Sequence, residues 1–240
     1  IEKLLEYSDV IFTIRFSLDG ATKETYEKIR INGSFERLIK NLDLFKKLNK
    51  GKIKNIEIQS LVSDDTKNQL AYHLSFYSKY APIENIELAL VNGLTKDLTY
   101  FYSHSPLKKY IVHSSPCNQV NSRINILNDG AASPCCRDYD GTLVYGNIAY
   151  QDLPELLNSE KLQDLALQHN NKNIVSNNLC ATCYKVDDRV YDLFTLFSNS
   201  LVFKYKNKWN IDKIQEKFDN FFTVFENQIP SKREFLELLK

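Results

Sequence analysis

Five cysteines carry the chemistry this 240-residue sequence can do: Cys117, the adjacent pair Cys135 and Cys136, and Cys180 with Cys183. Thiolates are soft ligands, and four of them around one site select an iron–sulfur cluster or zinc over hard cations. Cys180-Ala181-Thr182-Cys183 is a C-x-x-C pair, and its two-residue gap lets both sulfurs face one metal from a tight turn. Cys117 precedes a predicted strand over residues 123–127, and Asn128-Asp129-Gly130 then turns the chain back toward Pro134-Cys135-Cys136. A hairpin of this kind returns the second cysteine to the neighbourhood of the first. Neighbouring side chains on extended backbone point opposite ways, so one member of the adjacent pair ligates. We take Cys135 as that ligand, with Cys136 as a packing neighbour and the alternative. A thioredoxin-type redox pair is the poorer reading, because Cys180 does not sit between a strand and a helix of a βαβ unit. A lone buried cysteine is commonly a small hydrophobe; four in this pattern weigh against that. Spacing alone does not decide between zinc and an iron–sulfur cluster.

Other polar residues add less. His73, His104, His113 and His169 are scattered singly and read as surface or satisfied histidines, although His104 and His113 flank a domain junction and one of them could face a substrate cavity. Arg137 and Asp138 adjoin the cysteines and are placed to tune a bound cluster through charge or hydrogen bonds. Tyr139 and Tyr145 read as packing residues. No glycine-rich phosphate loop, catalytic triad or paired-carboxylate motif stands out.

The elements that must position the cysteines follow from periodicity. Residues 10–16 (VIFTIRF) read as a strand that ends at the turn Ser17-Leu18-Asp19-Gly20, and residues 23–30 as a helix broken by Asn32-Gly33. Ser34 is placed to cap the next helix, in which Phe35, Leu38, Ile39, Leu42, Phe45 and Leu48 form one apolar stripe until Gly51 stops it. A second strand runs through Ile53, Ile56 and Ile58 to about Val62. A helix over 66–80 and a third strand over 86–91 follow. Strand–helix alternation with short links predicts a parallel sheet covered by helices. Three strands cannot close a barrel, so this is a piece of a larger α/β layer.

Periodicity fades over 94–115, where we expect a junction. Residues 116–186 hold short strands, glycine turns, all five cysteines and one helix, announced by Asp152-Leu153-Pro154-Glu155 and continuing through Leu165. Beyond Lys185 the chain reads as helical. Ile211, Ile214, Phe218, Phe221, Phe222 and Phe225 share a face, and Ser231-x-x-Glu234 is a capping box.

Composition narrows the function classes. Apolar residues at 43% and charged residues at 25% are the balance of a folded globular protein. A formal net charge of +1 gives no bulk electrostatic case for nucleic acid or an anionic membrane. No apolar run reaches bilayer-spanning length and no secretory signal opens the chain. It begins at Ile1 and has no methionine, so we expect a fragment or a chain whose start is missing. An odd cysteine count with two close pairs fits metal ligation in a reducing compartment, the cytoplasm, better than a disulfide framework.

The arrangement as a whole resembles the SPASM/twitch domain that follows the partial barrel of many radical S-adenosylmethionine (SAM) enzymes. The matching features are Pro116-Cys117, Asn128-Asp129-Gly130, Pro134-Cys135-Cys136-Arg137-Asp138, Gly141, Gly146-Asn147-Ile148, the stretch from Leu153 to Leu162, and Cys180-x-x-Cys183; Leu157 stands where the family often has Trp. Residues Ser17 to Arg30 followed by Gly33-Ser34-Phe35 are similar to the segment these enzymes carry at their fourth barrel strand. The resemblance implies an α/β fold: the C-terminal half of a partial TIM-like barrel (1–105), a small α+β SPASM/twitch domain (106–186) and a helical extension (187–240).

It further implies one auxiliary [4Fe–4S] cluster on Cys117, Cys135, Cys180 and Cys183, with Ser17, Asp19 and Arg30 near the methionyl group of SAM. The expected substrate is a peptide or small molecule, with no nucleic acid or membrane partner. The family's C-x-x-x-C-x-x-C loop, which holds the SAM-cleaving cluster, occurs nowhere in the sequence. SAM and that second cluster therefore belong to a full-length parent enzyme, and this chain alone is not expected to start radical chemistry. The competing reading is a non-catalytic zinc or iron–sulfur module that serves as a protein-interaction domain.

Overall fold

Three parallel strands, β1 (Thr13–Ser17), β2 (Asn55–Val62) and β3 (Ile86–Leu90), form a sheet in the order β1-β2-β3. They belong to a computed structural model that describes residues 1–91, 98–174 and 179–240. Residues 94–97 of the expected junction lie outside the described residues. The chain divides into two compact units, one of Ile1–Val91, Ser103–Tyr110 and Val186–Lys240, the other of residues 92–102 and Ile111–Lys185.

In the first unit the register pairs Thr13 with Asn55 and Ser17 with Gln59, then Ile58 with Ile86 and Val62 with Leu90. Side chains alternate across a strand. Along β2, Ile56, Ile58, Ser60 and Val62 are accordingly buried, while the residues between them are half-buried. The second face is polar. Arg15 Nη2 lies 2.8 Å from Glu57 Oε2 and its Nη1 3.4 Å from Glu87 Oε2, so one guanidinium spans all three strands. Parallel sheets are ordinarily apolar on both faces; this one presents charge on the second.

The helices begin where capping chemistry allows. Ser34 Oγ accepts from Arg37 N at 3.2 Å and opens the helix Phe35–Asn49, which ends at Lys50 in the left-handed region (φ 44°). Expected boundaries move most in the first strand and in the helix after β2. The first strand starts at Thr13 and not at residue 10, with Val10 and Phe12 exposed, and a short helix, Glu2–Leu5, precedes it. The expected helix over 66–80 is a 3₁₀ turn, Lys67–Gln69, followed by a helix confined to Leu70–Tyr77. There Thr66 Oγ1 accepts from Ser63 N at 2.9 Å and donates to Leu61 O at 3.1 Å, which holds a tight turn where a helix would otherwise start.

The C-terminal helices Asp188–Tyr205, Ile211–Asn227 and Lys232–Leu238 lie in this same unit, although the sequence set 187–240 apart as an extension. Ile214, Phe218, Phe221, Phe222 and Phe225 are buried as their periodicity predicts, against Phe194 and Phe197 of the preceding helix. Gln215 joins this tail to the α/β part, accepting from Ala71 N at 3.1 Å and donating to Lys67 O at 2.9 Å.

The second unit is loop-rich. β4 (Ile111–His113) pairs with β8 (Tyr184–Val186), and β5 (Asn125–Ile126), β6 (Ala131–Ser133) and β7 (Gly146–Asn147) form an antiparallel sheet. The strand expected over 123–127 shrinks to the two residues of β5. The single helix expected from Asp152 through Leu165 is two, Leu153–Leu157 and Glu160–Asn170, because Ser159 breaks the first and caps the second through Leu162 N at 3.4 Å. Val120, Ala132, Tyr145, Leu156, Leu162 and Leu165 make a small core, with Cys117 and Cys180 packed against it.

Candidate metal centre

Cys117 is the N-cap residue of a 3₁₀ turn, Asn118–Asn121, whose Val120 is anchored in the core. From β5 the chain enters the tight turn expected at Asn128–Gly130. Ala131 N donates to Asp129 Oδ1 at 3.0 Å, and Gly130 takes φ 82°, the region that favours glycine. β6 is wholly buried and delivers Pro134 and Cys135. Asp138, 1% exposed, holds the loop beyond: its carboxylate accepts from Ser133 Oγ at 2.8 Å, Thr142 N and Oγ1 at 2.7 Å and Leu143 N at 2.8 Å. Asp138 thus builds the loop, and its charge is also among those that raise the Cys180 thiol. Cys180 and Cys183 sit at a second 3₁₀ turn, Leu179–Thr182, with Cys183 N donating to Cys180 O at 3.3 Å.

The four sulfur-bearing residues from these separate segments line one cavity of about 50 Å³: Cys117, Cys135, Cys180 and Cys183. Cys136 is not among the lining residues; it is exposed, with its Sγ 3.6 Å from Gln119 Oε1. Among the described residues no group of three or more His, Cys, Asp or Glu is placed to hold a metal ion.

The electrostatics of the cavity are those of crowded thiols. Burial, and then the neighbouring Cys135, Cys183 and Cys117, push the Cys180 thiol up to about 12. Burial also raises Cys135, opposed by the Arg137 N–H that donates to its Sγ at 3.3 Å. The Arg137 guanidinium donates to Cys183 Sγ and to Tyr184 O, each at 3.3 Å.

The donor set fits an electron-rich, sulfur-containing group. Three buried polar atoms with no hydrogen-bond partner among the described residues, Ser114 Oγ, Ser115 Oγ and His169 Nε2, belong to residues lining this same cavity. Buried polar groups are ordinarily paired. All three belong to the residues of one cavity, where a bound group could exchange hydrogen bonds with them.

The histidines divide. His73 is buried and bonded, its Nε2 2.5 Å from Ser60 Oγ, and burial lowers its pKa to about 3. His113 accepts from Ser115 N at 3.2 Å and reaches Ala181 O at 3.2 Å. His104 Nδ1 lies 2.8 Å from Ser103 Oγ. His169 departs from the reading of a surface or satisfied residue: it is 2% exposed and half of its ring chemistry has no partner among the described residues. The available signal was helical spacing, since Leu162, Leu165 and His169 share the buried face of their helix. Tyr139, expected to pack, is exposed, whereas Tyr145 is buried.

In the other unit the structure brings Ser17, Asp19 and Arg30 together. Arg30 Nη2 lies 2.5 Å from Asp19 Oδ2 and donates to Ser17 Oγ at 3.0 Å. Asp19 is buried, and its other oxygen accepts from Leu61 N at 2.8 Å. The carboxylate therefore ties the end of β1 to β2 while it orients the half-exposed guanidinium.

Comparison with known proteins bears on the cysteine-bearing unit. Two solved structures align along nearly the whole chain. Native anSMEcpe with bound AdoMet and Kp18Cys peptide is 16% identical, covering 95% of this chain and 73% of that one at a TM-score of 0.48. Hexahistidine-tagged anSMEcpe with bound AdoMet is 14% identical, covering 100% and 72%, also at 0.48. No curated protein matches the chain. A family model described as SPASM, an iron–sulfur cluster-binding domain, matches residues 117–184. That segment begins at Cys117 and contains every thiol of the cavity, and over it the chain carries a SPASM iron–sulfur cluster-binding domain.

Proposed function

We propose that Cys117, Cys135, Cys180 and Cys183 hold one auxiliary [4Fe–4S] cluster, and that the protein is the barrel-and-auxiliary-domain portion of a radical SAM oxidoreductase or modifying enzyme. The observation that carries this reading is the convergence of four thiols on one cavity inside the segment matched as an iron–sulfur domain. A single zinc draws all its sulfurs to within about 2.3 Å of one point. A cluster gives each thiolate its own iron, and the match of residues 117–184 to an iron–sulfur cluster-binding domain favours it over zinc.

When bound, such a cluster supplies a one-electron acceptor or donor. The residues do the rest. Four cysteines complete the protein ligation, so the site favours electron relay over holding substrate. Arg137 offsets negative charge at Cys183, and the buried Asp138 fixes the loop that presents Cys135 and Arg137. In the first unit we assign the three-stranded sheet, with its helices, to the C-terminal half of a partial TIM-like barrel. Its polar face and the Ser17–Asp19–Arg30 network would lie in the SAM neighbourhood, Arg30 offering the cation for a carboxylate. The substrate class is a peptide or small molecule, and the free cysteines suit the reducing cytoplasm.

Anaerobic purification of the full chain, followed by iron, sulfide and zinc analysis, tests the reading. About four irons and matching sulfide per chain, with broad visible absorption, are expected. Stoichiometric zinc without iron would overturn it in favour of a structural module serving protein interaction.

A further inference from the structure

His169 closes the helix Glu160–Asn170 and is held against the core beside Leu162 and Leu165. Its Nδ1 accepts the backbone N–H of Cys117 at 3.2 Å. A ring nitrogen that accepts carries no hydrogen, so the neutral imidazole places its single N–H on Nε2. That N–H can donate and cannot accept, unlike the two serine hydroxyls of the cavity, which rotate and can do either. It is buried and has no partner among the described residues. An unpaired buried donor is unfavourable, and the cavity that His169 helps to line offers it the sulfurs of four cysteines beside the oxygens of Ser114 and Ser115.

We propose that His169 donates its Nε2–H to a sulfur of the bound cluster or of one of its cysteine ligands, and so raises the reduction potential of that cluster. The inference rests on the cluster assignment above. Hydrogen bonds to cluster sulfurs are one of the protein's means of setting potential: the reduced cluster carries the extra negative charge, so a donor stabilises it more than the oxidised form. The same ring also fixes Cys117 through the backbone, which couples the placement of one ligand to the tuning of the whole group.

The test is an anaerobic reductive titration of the reconstituted full chain, comparing the parent with His169→Phe and His169→Gln. Removing the donor while keeping a planar ring should lower the ratio of reduced to oxidised cluster at a fixed poise about tenfold, a shift of about 59 mV to more negative potential for a one-electron couple. The glutamine amide can replace the donor and should recover most of that shift.

An unaltered midpoint in a fully iron-loaded His169→Phe chain would overturn the proposal. If the phenylalanine variant does not fold, pulsed electron paramagnetic resonance of the unaltered chain carrying ¹⁵N-histidine decides. A histidine nitrogen and an exchangeable proton coupled to the reduced cluster are expected, and a loaded cluster without that coupling is the contrary result. A chain that binds no iron fails the cluster assignment and this inference together, whereas iron without histidine coupling fails this inference alone.

Discussion

At the scale of single residues the adjacent cysteines separate sharply. Cys135 faces the cavity and Cys136 faces Gln119. Replacing Cys183 with alanine removes a ligand and also strips the Arg137 guanidinium of its sulfur partner; iron and visible absorption should be lost. Cys136→Ala should keep both, and iron analysis of the two variants reads the difference directly. The reverse result would make Cys136 the ligand. A second prediction concerns His73, buried in the first unit with its pKa lowered to about 3 against an ordinary 6.5. Between those values the unfolded chain binds a proton that the folded chain refuses, so stability falls as pH is lowered. The contribution of this group is fully present above 6.5. Below that its slope approaches about 1.4 kcal/mol per pH unit, levelling near the folded value. Urea unfolding of the parent and of His73→Leu at several pH values should show this slope in the difference between the two curves. Parallel curves would show that His73 does not titrate in this way. The cysteines could be read from type and spacing alone. The partnership of His169 with Cys117 could not, because the two are 52 positions apart and only tertiary packing brings them together.

At the scale of elements, turn chemistry positions the thiols more than strand strength does. β5 and β7 have two residues each and β6 three, so the Asn128–Gly130 turn decides whether Cys135 returns toward Cys117. Gly130 has φ 82°, and an added Cβ would stand 2.9 Å from Asn147 Oδ1. That oxygen already accepts from Ala149 N at 2.8 Å, so it cannot retreat freely. Gly130→Ala should cost about 1–2 kcal/mol from backbone strain alone. It should also weaken cluster loading, measurable as iron retained under a chelator challenge; retention equal to the parent would show that the turn is not what delivers Cys135. This turn was legible because Asn-Asp-Gly is a strong local signal. The errors fell where a local polar group competed with periodicity. Thr66 tightened a predicted helix into a 3₁₀ turn, and Ser159 divided one helix into two. Both residues offer the backbone a side-chain partner, which a count of apolar positions does not register.

At the scale of the molecule, the C-terminal helices could be recognised from sequence but their destination could not. The phenylalanine stripe of Ile211–Asn227 announces a buried face, yet periodicity does not say what covers it. The structure answers with Phe194 and Phe197 on one side and the helix Leu70–Tyr77 on the other. Phe221 is fully buried, with ring centroids 4.7 Å from Phe197 and 4.2 Å from Phe225. Truncating such a ring to alanine typically removes about 3–5 kcal/mol, comparable with much of the stability of an ordinary domain. If residues 186–240 and 1–91 are one cooperative unit, Phe221→Ala destabilises the parallel sheet as well as the tail. The protein carries its own reporter, since its single tryptophan, Trp209, donates to Ala71 O at 3.2 Å and leads into this helix. Tryptophan fluorescence reports the docking of the tail, and far-ultraviolet circular dichroism reports the helices and sheet together. In urea the two signals should shift to a lower midpoint in step, as a two-state unit requires. A variant whose fluorescence changed early while the bulk dichroism kept the parental midpoint would show the tail to be an appendage that folds on its own account.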